Sequence, residues 1–193
     1  MCSFRKLKKE AKMRNHFNFY IQANNPRVLK EHDLEDKNIS DAMETIFPLY
    51  TESAVMMWNH ICVPLSYKYD ISYMMDDILD LLDDLLQVKE GKRGISWLPD
   101  TFRSDWDIVW GSGQIRIISH WESVTGNLEG LLNANNRVSL KIAEFISEWK
   151  QILYIVLKGL EDNGYMESGI VNLKRLKQQY NRIPNNGILY KGH

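Results

Sequence analysis

Five aspartates within nine residues are the side chains whose type and spacing are most suited to chemistry. They are Asp76, Asp77, Asp80, Asp83 and Asp84. On a helix, the Asp-Asp-x-x-Asp spacing of the first three places carboxylates about one turn apart. Carboxylates held in this way can bridge magnesium ions that bind a diphosphate. The run is therefore a candidate metal site, a candidate binding face for a basic protein, or a solvated helix surface.

A metal-dependent enzyme of this kind needs more than one acidic run. The isoprenoid synthases carry a locally similar run, but they are larger, all-helical proteins with a second metal-binding motif on another helix. This chain has no second acidic run of that spacing, and predicted strands interrupt the chain. The aspartates therefore favour a solvated face or a face that binds a protein partner. A small metal-dependent phosphate-ester or diphosphate enzyme that uses Asp76, Asp77 and Asp80 is the alternative.

The other reactive side chains do not form a recognisable site. His60 and Cys62 lie two residues apart in an extended run, but a metal ion needs more ligands than these two. We predict ordinary packing for both, and a surface or half-buried position for His120. The sequence has no glycine-rich phosphate loop, no serine nucleophile elbow and no metalloprotease helix. We therefore predict no catalytic residue, no metal ligand and no cofactor.

Trp97 is the aromatic residue most open to a binding role. It lies in the segment GISWLPD, and residues 91–101 are predicted to be a loop. A tryptophan in such a loop either packs back against the core or is exposed for contact with a partner. We therefore include Trp97, with the five aspartates, among the candidate partner-binding residues.

Charge is distributed unevenly along the 193 residues. Residues 1–30 carry eight basic and one acidic side chain, whereas residues 31–90 carry three basic and fourteen acidic ones. Nucleic-acid-binding domains usually show a basic excess, so this pattern argues against a nucleic-acid partner and favours a basic protein partner. Two cysteines and the lack of a long apolar run predict a cytoplasmic protein with no membrane contact. The sequence sets no oligomeric state.

The elements that position these residues predict a single α+β domain at residues 15–181. A basic, flexible extension is expected at 1–14 and a tail at 182–193. Strands are predicted at 16–22 and along 55–69, where Pro64 indicates an edge strand or a bulge, and a brief extended segment at 138–142. Helices are predicted at 41–47 after a Ser40 cap, from an Asp70 or Ser72 cap to Leu86, at 141–162, and from a Ser168 cap to Tyr180, with a short turn of helix or loop at 126–133.

A β-hairpin is the clearest local prediction. Residues 105–111 and 114–124 flank Ser112-Gly113, a favourable two-residue turn that places Trp110 opposite Ile115. One face of the hairpin is predicted to be buried, comprising Trp106, Ile108, Trp110, Ile115, Ile117 and Trp121. The other face carries Asp107, Val109, Arg116, Ile118 and His120. The fold is thus predicted to be a small antiparallel sheet packed against several helices.

The order of these segments resembles a known class of proteins. The hairpin WDIVWGSGQIRIISHWESVTGN leads into LEGLLN and then EFISEWKQIL, and LSYKYDIS precedes the acidic helix. Over roughly residues 54–165 this resembles the small α+β immunity proteins of bacterial polymorphic toxin systems. The resemblance implies a cytosolic protein that binds and neutralises one cognate toxin domain, without catalysis or a cofactor. A scaffold or subunit of a larger complex is a third possibility.

Overall fold

Seven strands form two antiparallel sheets in the computed structural model, which describes residues 18–49 and 53–184. The first sheet has the order β1-β2-β3, with β1 at Phe19–Gln22, β2 at Ser53–Trp58 and β3 at Ile61–Ser66. The second has the order β4-β5-β6-β7, with β4 at Gly91–Trp97, β5 at Phe102–Gly111, β6 at Gln114–Val124 and β7 at Arg137–Lys141. The predicted extension at residues 1–14 lies outside the described residues.

In the described part of the chain, five helices lie between and after these strands and complete an α+β fold, as predicted. They are α1 at Ile39–Ile46, α2 at Ser72–Gln87, α3 at Glu129–Ala134, α4 at Ile142–Asp162 and α5 at Leu173–Arg182. The buried side chains of both sheets and of the helices form one continuous hydrophobic cluster. None of the described helices is long and apolar enough to cross a membrane.

The β5–β6 hairpin has the predicted register. Trp110 pairs with Ile115, and Ile108 pairs with Ile117. All six side chains of the predicted inner face are buried. Ser112 and Gly113 both have positive φ, the conformation that a two-residue turn between twisted strands requires.

The prediction of one extended run at 55–69 was wrong, because the chain reverses direction within this range. Asn59 and His60 both have positive φ and join β2 to β3 in a second tight hairpin. The reversal shifts the alternation of buried side chains by one residue, so that Met56 in β2 is fully buried while Met57 is only half-buried. The edge position indicated by Pro64 is confirmed, because β3 is the outer strand of its sheet.

Helix starts were predicted less well than helix cores. The side chain of Asn38, not Ser40, accepts the hydrogen bond that caps α1, and α5 begins at Leu173 rather than after Ser168. One π-helical turn, Tyr67–Ile71, precedes α2, and the Ser66 hydroxyl caps it. On the core side of α2 the apolar side chains recur at helical spacing and are buried: Met74, Ile78, Leu81, Leu82 and Leu85.

Residues 91–97, predicted as part of a loop, form β4 instead. The two glycines in this segment suggested a loop, but Gly91 faces Trp110, whose indole ring fills the space that a side chain would need. At the other end of the domain, Ile183 is buried although it was assigned to the tail. The folded part therefore extends at least to Ile183.

Candidate functional site: an acidic groove

The predicted acidic face of α2 is largely covered by arginines of the same chain. Asp83 contacts Arg175 at 2.8 Å and Arg182 at 2.9 Å, both from α5. Arg175 also binds Asp80 at 2.6 Å. These ion pairs fasten α5 to α2, so the two carboxylates act within the fold.

Arg93 completes this network from β4. Its guanidinium lies 2.8 Å from the Asp84 carboxylate and 3.4 Å from that of Asp80. Asp80 is therefore shared by two arginines, and a magnesium ion at Asp80 would have to compete with both. This arrangement gives Asp80 and Asp84 a structural role.

Asp83 is the most strongly held carboxylate of the five. Burial by itself would raise the pKa of Asp83, but the hydrogen bond and charge of Arg175, together with hydrogen bonds from Gln179 and Gln87, outweigh burial and lower it. The ionised form of Asp83 is therefore the form that the fold binds.

Asp76 and Asp77 remain more open. Asp76 is exposed and accepts a hydrogen bond of 2.9 Å from the Asn172 side chain. The pKa of Asp77 is raised, first by partial burial and then by the negative charge of Asp80. Of the five predicted partner-binding aspartates, only Asp76 and Asp77 are therefore open to a partner, since arginines pair with the other three.

The remaining candidates do not converge on either of these carboxylates. Trp97 lies in β4 and is only 2% exposed, with its ring against Trp106, so it belongs to the core rather than to a contact surface. His60 lies in a turn, and both His60 and Cys62 are exposed rather than packed. Across residues 18–49 and 53–184, no three His, Cys, Asp or Glu side chains come together in an arrangement that could hold a metal ion.

A different acidic surface forms a concave feature between the segment before α1, α1 itself and Lys68, which we call the acidic groove. Its volume is about 880 Å³, and it is open to solvent. Five carboxylates and one lysine contribute to a lining formed by Leu29, Glu31, His32, Asp33, Asp36, Asp41, Glu44, Thr45 and Lys68.

The segment before α1 is held in place to make one wall of this groove. The Leu29 amide donates to the Ile46 carbonyl oxygen at 2.8 Å, and the Val171 amide donates to the Lys37 carbonyl oxygen at 2.8 Å. His32 stacks on Tyr165 with ring centroids 4.2 Å apart. These contacts fix an irregular segment that has no sheet or helix of its own.

The opposite wall comes from α1 and the π-helical turn. Asp36 accepts hydrogen bonds from Thr45 at 2.9 Å and from the Tyr165 hydroxyl. The Lys68 ammonium donates to the backbone oxygen of Glu44 at 2.6 Å. The fold thus holds part of the lining rigid and leaves other carboxylate oxygens facing solvent.

The charges of the groove repel one another. The pKa of Glu44 is raised by burial, an effect that Lys68 opposes and that Asp41 and Asp36 increase. Because carboxylates outnumber cations, a positively charged group entering the groove would relieve this repulsion. Small-molecule sites are mostly apolar, whereas this lining is mostly polar, so the groove suits the basic side chains of a protein better.

The groove was missed at the level of sequence, although a signal was present. Residues 31–45 contain six acidic side chains and one lysine, a higher density than the charge of the middle region as a whole. The aspartates of α2 follow a helical spacing, whereas the acidic residues before α1 have no regular spacing that would indicate a shared surface. The chain matches no protein-family model, no curated protein and no solved structure.

Proposed function

We propose that this protein is a non-catalytic binding protein, an immunity protein that neutralises a cognate bacterial toxin domain. The observation that carries the proposal is the acidic groove, in which five carboxylates face one lysine. A basic toxin surface would dock there, and its active site would lose access to substrate.

Electrostatic complementarity gives this binding its speed and selectivity. Oppositely charged surfaces steer association and reject partners of like charge. Many toxins of polymorphic systems are nucleases, whose basic active sites bind phosphates. An acidic groove mimics the charge of that substrate and so competes for the same site.

An apolar contact next to the groove would add to the affinity. Leu34 is 80% exposed and lies in the same segment as Glu31 and Asp33. An exposed leucine amid carboxylates can enter an apolar pocket while the charges around it pair with the toxin. The resemblance over residues 54–165 supplies no contact residue, so the groove is assigned on its own charge and shape.

The first test is the binding of a fluorescent heptaarginine peptide, which stands in for a basic toxin surface. The groove variant Glu31→Gln/Glu44→Gln removes two negative charges, and Asp76→Asn/Asp77→Asn removes the same number from α2. None of these four carboxylates is in a described ion pair. We expect the groove variant to weaken binding about tenfold, as loss of two exposed charge contacts would do.

The α2 variant is the matched control, and we expect it to bind the peptide like the wild type. Equal weakening by both variants would show that only net charge matters, and a larger effect of the α2 variant would move the site back to α2. Either result contradicts the assignment to the groove. Wild-type affinity in the groove variant would contradict it as well.

A further inference from the structure

The outer face of the β4–β7 sheet is exposed and carries charges that have no partner among residues 18–49 and 53–184. Val109 is 55% exposed, and Asp105, Asp107, Arg116 and Arg137 are also exposed. None of these four charged side chains makes a hydrogen bond or ion pair with another residue of the described chain. A sheet face with a partly apolar centre and unpaired charges is suited to a contact with another protein.

The charges on this outer face are sorted by strand. Asp105 and Asp107 lie on β5, whereas Arg116, His120 and Arg137 lie on β6 and β7. Asp105 is directly opposite His120 in the register, and Ile118 lies between Asp107 and Arg137. The central part of the face is therefore acidic along β5 and basic along β6 and β7, whereas Glu122 on β6 and Lys92 on β4 lie outside this central part.

We propose that this outer face binds the same face of a second copy of the chain. A two-fold axis parallel to the strands, between β5 and β6, lays β5 of one copy over β6 of the other. Asp105 then meets His120 of the second copy, and Asp107 lies one strand spacing from Arg137 of the second copy. Sheets packed face to face are about 10 Å apart, a gap that arginine and aspartate side chains can close between them.

The arrangement satisfies the symmetry of a dimer. A two-fold interface must be self-complementary, so each charge has to meet its opposite on an identical surface. The sorting of acids and bases by strand meets this condition. Lys92, on β4, would face Ser139 of the second copy, so it adds no like-charge contact.

The size of the face predicts a weak dimer. Four strands about 4.8 Å apart, over about seven residues of length, give a footprint of roughly 400 Å² on each copy. Stable interfaces bury about 800 Å² on each partner, so dissociation in the micromolar range is expected. Nucleic acid fits this face less well, because single strands stack on aromatic side chains and the outward positions of this sheet hold none.

The test is sedimentation equilibrium of the full chain at concentrations from micromolar to several hundred micromolar, in about 0.02 M and about 0.5 M salt. We expect a monomer–dimer equilibrium that weakens at high salt. Asp107→Arg and Arg137→Asp should each weaken dimerisation at least about tenfold, because each places like charges opposite one another. Lys174→Glu, a charge reversal on α5, is the matched control and should dimerise like the wild type.

Mixing the two interface variants gives the sharpest result. Asp107→Arg in one chain and Arg137→Asp in the other restore opposite charges at both contacts, so the mixture should form heterodimers with near wild-type affinity. An unfolded variant could not form the heterodimer, so restored association of the mixture also shows that both variants are folded. A wild-type chain that stays monomeric at all concentrations, or a mixture that associates no better than the single variants, would overturn the proposal. The result is independent of the acidic groove, whose residues are not altered.

Discussion

Replacement of Asp83 by asparagine should lower stability by an amount that the α2–α5 contacts allow us to estimate. The substitution keeps the shape of the side chain and removes its charge, so the ion pairs to Arg175 and Arg182 are lost. The Asp83 side chain is 23% exposed, which places these pairs between surface and buried examples. We expect a loss of about 1–2 kcal/mol of unfolding free energy, from two partly screened ion pairs. For a domain of this length, that corresponds to a fall in Tm of roughly 3–6 °C.

The dependence on pH gives this prediction its direction. The pKa of Asp83 is lowered by folding, so its contribution is fully present above the ordinary aspartate pKa and is lost as pH falls through the lowered value. The difference in Tm between wild type and Asp83→Asn should therefore be large at neutral pH and disappear in strong acid.

Thermal unfolding followed by circular dichroism measures both effects. Asp76→Asn is the control, because Asp76 lies on the same helix but is exposed and has a single amide contact. Its Tm should change far less. If Asp83→Asn lowers Tm no more than Asp76→Asn does at neutral pH, the ion pairs do not fasten α5 to α2 and the reasoning fails.

Two further predictions concern β4 and the aspartates. Gly91→Ala should lower the free energy of unfolding by about 1–3 kcal/mol, because the new methyl group would overlap the indole ring of Trp110. Gly94→Ala in the same strand meets open space and should be tolerated. Urea unfolding of the two variants measures the difference, and equal stabilities would refute the close approach of Gly91 to Trp110. Millimolar magnesium or manganese should leave the Tm unchanged, because two arginines already form ion pairs with Asp80. A rise in Tm of several degrees that is lost in Asp80→Asn would support the metal-enzyme alternative instead.

Local patterns made part of the fold predictable. The β5–β6 hairpin follows from strict alternation around a two-residue turn, and both its register and its buried face are confirmed. The helix predicted at 141–162 is confirmed as α4, since its apolar residues recur at helical spacing and Gly164 takes a positive φ just after its end. By contrast, Asn59-His60 lacks the glycine that usually marks such a turn, so the β2–β3 reversal was hidden within a continuous apolar alternation.

The candidate site depended on contacts that sequence spacing does not encode. Asp83 and Arg175 are 92 residues apart in the chain, and nothing local indicates that they meet. The aspartates of α2 were therefore interpreted as a free surface, whereas the fold neutralises three of them. The acidic groove likewise needs residues before α1, within α1 and at Lys68 to come together. Charge density located the region, but only the tertiary structure distinguishes a charge that is paired from one that is available.

The most direct measurement is calorimetric titration of the chain with a purified basic toxin domain, which the proposed function expects a neighbouring gene to encode. We expect a tight complex of one toxin with one chain, loss of toxin activity in that complex, and an affinity that falls steeply as the salt concentration rises. We also expect Glu31→Gln/Glu44→Gln to weaken binding about tenfold and Asp76→Asn/Asp77→Asn to leave it unchanged. No binding, or binding and inhibition that the groove variant leaves unchanged, would contradict the account.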